Sequence, residues 1–539
     1  MSAAADSKIV LLLLPEAIED LADPKLLERT LVDRSRSIRV LLCIPSGDDS
    51  GRLTFKLDEL GVETQVLLGP GAKAPATKAF TLRAPPDMAD KELKDLREFA
   101  LALSDVVLMT PVSEQSSAVK RSLGETVANL GKLTVAPGGR VPDILSITSV
   151  TRGLDPDLRD IHAWGPCTAG RLEQFLLEAL AYNWSAPDKG SIAESNKRLR
   201  RCFGKWRPSA YFAPDAPSPQ ASWRRLVPDA LAADQAAPIV SRCDALDRSA
   251  VYGSSIHRDL TWLAHFGAAF AVLFAVWGHL VDDPASLSFS ELLALIGVIA
   301  LVAGARRSGL QERWTACRLA AEQLRIARMS LPLLVLPPAL ATEDKPPRKT
   351  GHSGKEAEHG FNALMEVKRI VREHGLPHLN PALTPAQAAE WLQLIVRDQI
   401  TYHKRNHRKL EHAEARLVAI TQLIFVIAAL CVVPHFFFHS PNLKWLLFGT
   451  AAAPAFAAAL HGTGTRLGIV HRAALSLDAE AALNKISTSL EDLVKAGPGA
   501  NDIDAWRRVR RLAFEAAEAM GRENSSWHGL VRRYQDVLP

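Results

Sequence analysis

Apolar and polar positions change rhythm along this 539-residue chain. Up to about residue 185 short apolar runs recur: KIVLLLL (8–14), IRVLLCI (38–44), TQVLLG (64–69), DVVLMT (105–110) and KLTVA (132–136). They alternate poorly, as strands covered on both faces do, and helix-like segments such as DKELKDLREFALAL lie between them. Strands alternating with helices predict a parallel sheet, so 1–185 is expected to be an α/β, Rossmann-like domain. Residues 186–236, rich in Pro, Ser, Ala and Asp, read as a linker, and 337–360 as a second break, a loop.

From Leu263 to Val281, 19 residues pass without Asp, Glu, Lys or Arg. As a helix this run is about 28 Å long, close to the ~30 Å hydrocarbon core of a bilayer. Three more runs follow: 287–305, interrupted only by Glu291, then Leu417–Phe438 and the shorter, alanine-rich Leu446–Leu460. They pair across DDPAS and HSPNLKW, and long helix-like stretches flank each pair. The expectation is an all-α membrane region of four transmembrane helices in two hairpins with long cytoplasmic helical extensions. Its modules are 237–336 and 361–539, a repeat of architecture with weak sequence identity. Pro434 and Pro454 are expected to kink or bend the third and fourth helices.

Charge separates a membrane span from a buried core. Arg258, Arg306, Arg307, Arg313, Arg405, Arg408, Lys409, Arg416 and Arg466 flank the hairpins, whereas the first tip holds Asp282 and Asp283 and the second only Lys444. A soluble core has no reason to sort charge this way. The positive-inside rule does, with both termini in the cytoplasm. Trp262, Trp277 and Trp445 fit interfacial anchors. A net charge of +5 and a mean hydropathy of +0.02 average over these segregated regions and exclude neither a soluble nor a membrane protein. The six cysteines have no CxxC or metal-like spacing and read as reduced thiols. The start, MSAAADSKIVLLLLPEAIED, does not have a signal-peptide pattern, because its apolar run is short and closes with Pro and acids.

Three segments carry a family likeness: ERWTACRLAAEQLR after the first hairpin, RDQITYHKRNHRKLEHAEARL before the second, and the terminal EAAEAMGRENSSWHGLVRRYQDVLP. Their W-x3-R-x3-E-x2-R helix, Tyr-His pair and E-x3-W helix resemble the SLATT superfamily, two-transmembrane modules associated with SMODS nucleotidyltransferases and SLOG domains in bacterial conflict systems. The likeness covers about 237–539 as a tandem pair. It implies an effector of antiviral defence that permeabilises the bacterial inner membrane, forming a pore, when a sensor domain is triggered. The segment DVVLMTPVSEQSSAVKRSLGETVANLGKLTVAP is also similar to SLOG and nucleoside-deoxyribosyltransferase-like folds. There the helix-start Glu contacts ribose, which implies nucleotide sensing.

Two groups of residues are candidates for function. The first lies at the carboxyl ends of the expected strands, where open parallel sheets bind ligands: Pro15, Glu16, Ser46, Gly47, Gly69, Gly71, Thr110 and Ser113. Gly124, Glu125 and Thr126 join it, because Ser122 and Glu125 form a capping box whose free N–H groups suit phosphate. A plain capping box is the competing reading. No GxGxxG or P-loop is present, so no cofactor is expected, and no catalytic residue is assigned. Were the domain a nucleoside- or NAD-cleaving enzyme, Glu125 would be its carboxylate; a non-enzymatic scaffold is the third reading.

The second group is Trp314, Arg318, Glu322 and Arg325, one helix face by its spacing, expected to be a coupling or assembly collar. His403, His407 and Glu411 also share a face, but the surrounding Lys404, Arg405, Arg408 and Lys409 disfavour a cation, so no metal site is expected. The expected partners are the lipid bilayer, a small nucleotide-like ligand and further copies of the chain, with no nucleic-acid polymer.

Overall fold

The structure, a computed structural model, describes residues 9–14, 38–44, 63–69, 72, 80–88, 93–104, 106–108, 133–135, 233–278, 284–336, 370, 374–379, 383–437 and 444–533. Six short strands, β1 (Ile9–Leu13), β2 (Ile38–Ile44), β3 (Glu63–Leu68), β4 (Phe80–Arg83), β5 (Val106–Leu108) and β6 (Leu133–Val135), pair in parallel in the order β4-β3-β2-β1-β5-β6. Registers such as Leu12 with Leu41 and with Val107, and Cys43 with Leu67, put these side chains on one face. Val10, Leu12, Leu14, Leu41, Cys43, Leu67 and Val107 on that face are buried, as are Leu11, Leu13, Val40, Leu42, Val66 and Leu68 on the other. One helix, α1 (Leu93–Leu103), accompanies the strands among the described residues, packing Leu96, Phe99 and Ala100 into the same core.

The rest of the described residues are mostly helical. Helices α2 (Ala233–Gly278) and α5 (Pro385–Phe437) contain 46 and 53 residues, about 69 and 80 Å at 1.5 Å per residue. Both exceed twice the hydrocarbon thickness, so each has an apolar half and a half outside it. The shorter α3 (Pro284–Arg307) follows α2, and α6 (Lys444–Arg466) follows α5. Amphipathic helices α4 (Leu310–Ser330), α7 (Ile469–Ala496) and α8 (Ile503–Arg533) complete the body. Local chemistry fixes several ends. Thr384 and Gln387 cap α5 reciprocally, the Thr384 N–H donating to Gln387 Oε1 at 2.9 Å and the Gln387 N–H to Thr384 Oγ1 at 3.3 Å. Asp502 accepts the Ala505 N–H at 2.9 Å to open α8.

Helices α2–α3–α4 and α5–α6–α7 are two copies of one unit. A left-handed glycine joins the last two helices of each: Gly309 (φ 57°, ψ 30°) and Gly468 (φ 60°, ψ 36°). The flanking hydrogen bonds match residue for residue. Gly309 N–H donates to Arg306 O (3.1 Å) and Arg313 N–H to Gly309 O (3.1 Å); Gly468 N–H donates to Thr465 O and Arg472 N–H to Gly468 O, both 3.0 Å. Glycine suits this corner because a Cβ at positive φ meets the backbone. The units pack through α2 against α6, where Phe456 meets Phe266 (6.0 Å between centroids) and Phe270 (5.2 Å, edge-on). The helices approach closely at glycines: a Cβ at Gly267 would lie 2.7 Å from Val298 Cγ2, and one at Gly462 would lie 2.9 Å from the His265 ring.

The expected fold class, a Rossmann-like α/β domain plus four transmembrane helices, is corrected in two respects. First, helix dominates the described residues, and among them only α1, between β4 and β5, alternates with the strands, so no clear Rossmann domain is present. Apolar strand runs report that both faces are covered, not by what. Here the sheet shares its core with Ile239, Cys243 and Leu246 of α2 and with Cys317, Ala320, Ala321 and Leu324 of α4, residues remote in sequence. Secondly, among the described residues three helices, α2, α3 and α5, are long and apolar enough to cross a membrane, not four. The apolar run of α6, 446–460, reaches about 22 Å, is alanine-rich and contains Pro454. Alanine lets α6 lie close between α2 and α5 but contributes little apolar surface. Pro434 and Pro454 both lie inside continuous helices, α5 and α6.

Candidate functional site

Below the apolar runs α2, α4 and α5 enclose a network of charges. The small residues Ala320 and Ala321 let α2 approach α4 closely enough for the Cys243 thiol to donate to Ala321 O at 3.3 Å. On α4 the i, i+4, i+7 spacing of Arg318, Glu322 and Arg325 sets the three on one stripe. Arg318 Nη2 pairs with Glu322 Oε1 at 2.5 Å, and Arg325 pairs with the other carboxylate oxygen. Arg318 also reaches both neighbouring helices. Its Nη1 donates to Asp247 Oδ1 of α2 at 2.8 Å and its Nη2 to Tyr402 Oη of α5 at 2.7 Å, with the guanidinium carbon 5.8 Å from the Tyr402 ring centre. Arg325 Nη2 lies 3.7 Å from Asp247 Oδ1.

Burial alone would raise the Glu322 carboxyl, but the charges of Arg318 and Arg325 outweigh it and hold the group down at about 2. Arg325, buried and paired to Glu322, is pushed up. Arg328, one turn on, is lowered to about 10 by burial and by Arg325. His403 of α5, 14 residues before the apolar run, is 1% exposed; burial lowers it to about 4, so it is neutral at pH 7 beside Glu322. The Cys317 thiol is raised to about 11 by burial. It is therefore protonated, and nothing here activates it as a nucleophile. This arrangement is a lock of matched charges, not an acid–base or nucleophilic centre.

The expected collar is thus present as a set of neighbours, but it faces inward. Glu322 and Arg325 are buried, and Arg318 bridges three helices. Trp314 lies on the same helix, one turn before Arg318. It packs against Gly253, where a Cβ would come within 2.5 Å of Trp314 Cβ, and against the His257 ring at 5.9 Å between centroids. Sequence reasoning missed Asp247, Tyr402 and His403. The Tyr-His pair had been noticed as a pattern, but no local signal tells which helix it faces. His407 turns away, its Nδ1 3.1 Å from Ala473 O, and no group of three His, Cys, Asp or Glu among the described residues could hold a metal ion.

A second tie joins the sheet region to the helices. Asp87, 1% exposed after β4, accepts from Arg510 Nη1 of α8 at 2.9 Å. Of the strand-end candidates only Gly69 lies among the described residues; its N–H donates to Ile44 O at 2.7 Å. Pro15, Glu16, Ser46, Gly47, Gly71, Thr110, Ser113, Gly124, Glu125 and Thr126 lie outside them. In comparisons with known proteins the chain matches no family model, no curated protein and no solved structure.

Proposed function

We propose that this chain is a ligand-gated membrane effector of a bacterial conflict system, of the SLATT type, set in the inner membrane with both termini in the cytoplasm. The sheet region takes a small nucleotide-type ligand at its strand ends, and the chain assembles with further copies to permeabilise the bilayer. The observation that carries this reading is the continuous core between the sheet and the cytoplasmic halves of α2 and α4. A shift of the sheet displaces α2, whose other half is apolar and exposed. The charge lock on Arg318 holds α2, α4 and α5 in register, and a ligand opens it only by binding the open arrangement more tightly. The charge of Arg306 acts on Arg466, so α3 and α6 end at the same level, as a shared cytoplasmic side requires.

The test is dye release from liposomes carrying the full chain, challenged with a panel of nucleotides, cyclic dinucleotides and NAD derivatives. One ligand should trigger release, and Arg510→Gln, which unties Asp87, should reduce the response at least tenfold while leaving insertion intact. Failure of the whole panel, or hydrolysis of the ligand without release, sinks the proposal.

A further inference from the structure

The joint between the two units is one-sided. The first unit offers α2, with Phe266 and Phe270 against Phe456 and His265 against Gly462, and the second offers α6. A repeat supplies the same two faces again, on α5 of the second unit and α3 of the first. Setting Gly253 on Leu410 aligns α2 with α5, and setting Gly309 on Gly468 aligns α3 with α6. The two alignments agree, because Leu260 packs beside Ala305 as its counterpart Leu417 does beside Gly464. On α2, Ala269 is buried one turn beyond His265 and Phe266; on α5 the counterparts Gln422, Leu423 (59%) and Val426 are all exposed, as is Leu430. On α6, Ala452, Ala459 and Thr463 flank Phe456 at helical spacing and are buried. On α3 the counterparts Leu293 and Ala300 are exposed, and a Cβ at Gly297 or Gly304, which stand for Phe456 and Thr463, would meet nothing within 4 Å.

Chemistry says what covers these faces. Gln422 is an amide exposed inside the charge-free run that starts at Leu417, and lipid offers it no hydrogen bond. A helix face of glycine and alanine lets a neighbour approach closely and brings backbone carbonyls within its reach. Direction says how the copies are arranged. Asp247 in the first half of α2 and Tyr402 in the first half of α5 meet the same Arg318, so both helices enter the membrane from one side. The units are therefore parallel, related by rotation about the membrane normal, and a one-sided joint repeated about such an axis closes into a ring. We propose that the α5 face of Gln422, Leu423, Val426 and Leu430 docks on the α3 face of Leu293, Gly297, Ala300 and Gly304 of a second copy, repeating the joint inside the chain. This deepens the assembly step of the function proposed above and rests on that reading only in requiring several copies.

Photo-crosslinking reads the joint without ligand or dye release. Two differently tagged full chains, each with a benzophenone amino acid in place of Leu423, are expressed in one bacterial membrane and irradiated. The product should join the two tags, with mass spectrometry placing the attachment within 293–304 of the other copy. The same probe at Val432, exposed on another side of α5, should not give it. The Gly297→Leu/Gly304→Leu double variant fills space that is open within one chain, so insertion and helix content should persist while the product is lost. Gln422→Leu should weaken association in detergent about threefold, the size of one hydrogen bond between membrane helices. Attachment to α5 of the other copy or to lipid alone, or an undiminished product in the double variant, overturns the joint. A chain that gives the product but releases no dye contradicts the effector reading alone, and one that releases dye without the product contradicts only this joint.

Discussion

The two helical units have the same backbone corner and fill it differently. Five residues after the left-handed glycine, the first unit places Trp314 and the second Ala473. The partner helix compensates: Gly253 makes room for Trp314, whereas Leu410 fills the space beside Ala473. The contrast sharpens further along. Where the first unit sets a half-buried Arg318 against a buried Glu322, the second has Leu477, 48% exposed, and Ala481, also exposed. Its nearest polar contact across the helices is a neutral one, Asn406 Nδ2 to Ser476 Oγ at 2.7 Å. The corner and the apolar rhythm specify the unit. Among the described residues of the two units, charged side chains are buried in the first, where a helix of the other unit, α5, supplies Tyr402 and His403.

Glu322→Gln is the most damaging change. It leaves the buried Arg325 and the half-buried Arg318 without a carboxylate between them, and breaking such a network costs about 3–5 kcal/mol. Thermal unfolding in nanodiscs followed by circular dichroism measures it. Ala481→Gln, at the matching place in the second unit, should stay within about 0.5 kcal/mol. Equal losses at the two positions would erase the distinction.

Acid tests the same asymmetry. The folded-state value of His403, about 4, lies below its ordinary 6.5, so the unfolded chain binds the extra proton between these values. Stability should therefore fall as pH drops from about 6.5 to 4, by up to about 3 kcal/mol for this group. His257 contributes in the same window, so His403→Gln should remove about half of the loss. Below that, Glu322, at about 2 instead of 4.5, adds a further loss as pH falls from 4.5 toward 2, which Glu322→Gln should abolish. A flat unfolding profile from pH 7 to 4 in the parent would show that His403 is not buried as described.

The smallest of these effects is steric. Gly253→Ala puts a methyl group 2.5 Å from Trp314 Cβ, and the α2–α4 seam must open at a cost of about 1–3 kcal/mol. In a Trp314→Gly background, which removes the Cβ that the new methyl group meets, most of that cost should disappear. A double-mutant cycle reads the coupling, and additivity would show that the two helices do not meet there.

Much of this was legible in the chain. The apolar runs of 263–281, 287–305 and 417–438 predicted three membrane-length helices, because uninterrupted apolar length is a local property. The fourth was misjudged because a run of alanines is free of charge without being strongly apolar. The strand runs of β1, β2 and β3 were legible for the same local reason, but not the domain they belong to. The stripe Arg318, Glu322, Arg325 was visible as a helix face, and its spacing said nothing about whether solvent or protein covered it.

The sequence by itself determined where helices run, which stretches can lie in lipid, and that the two units share a plan. Only the tertiary structure decided that the sheet is roofed by α2 and α4 and that Arg318 joins Asp247 to Tyr402. The reason is range. Helix formation and apolar length depend on neighbours within a few turns, whereas Arg318 and Tyr402 are 84 positions apart and Asp87 and Arg510 are 423 apart. Pairing charges over such separations is settled by how the long helices cross, and that is fixed by close contacts such as Gly253 against Trp314, which no periodicity announces.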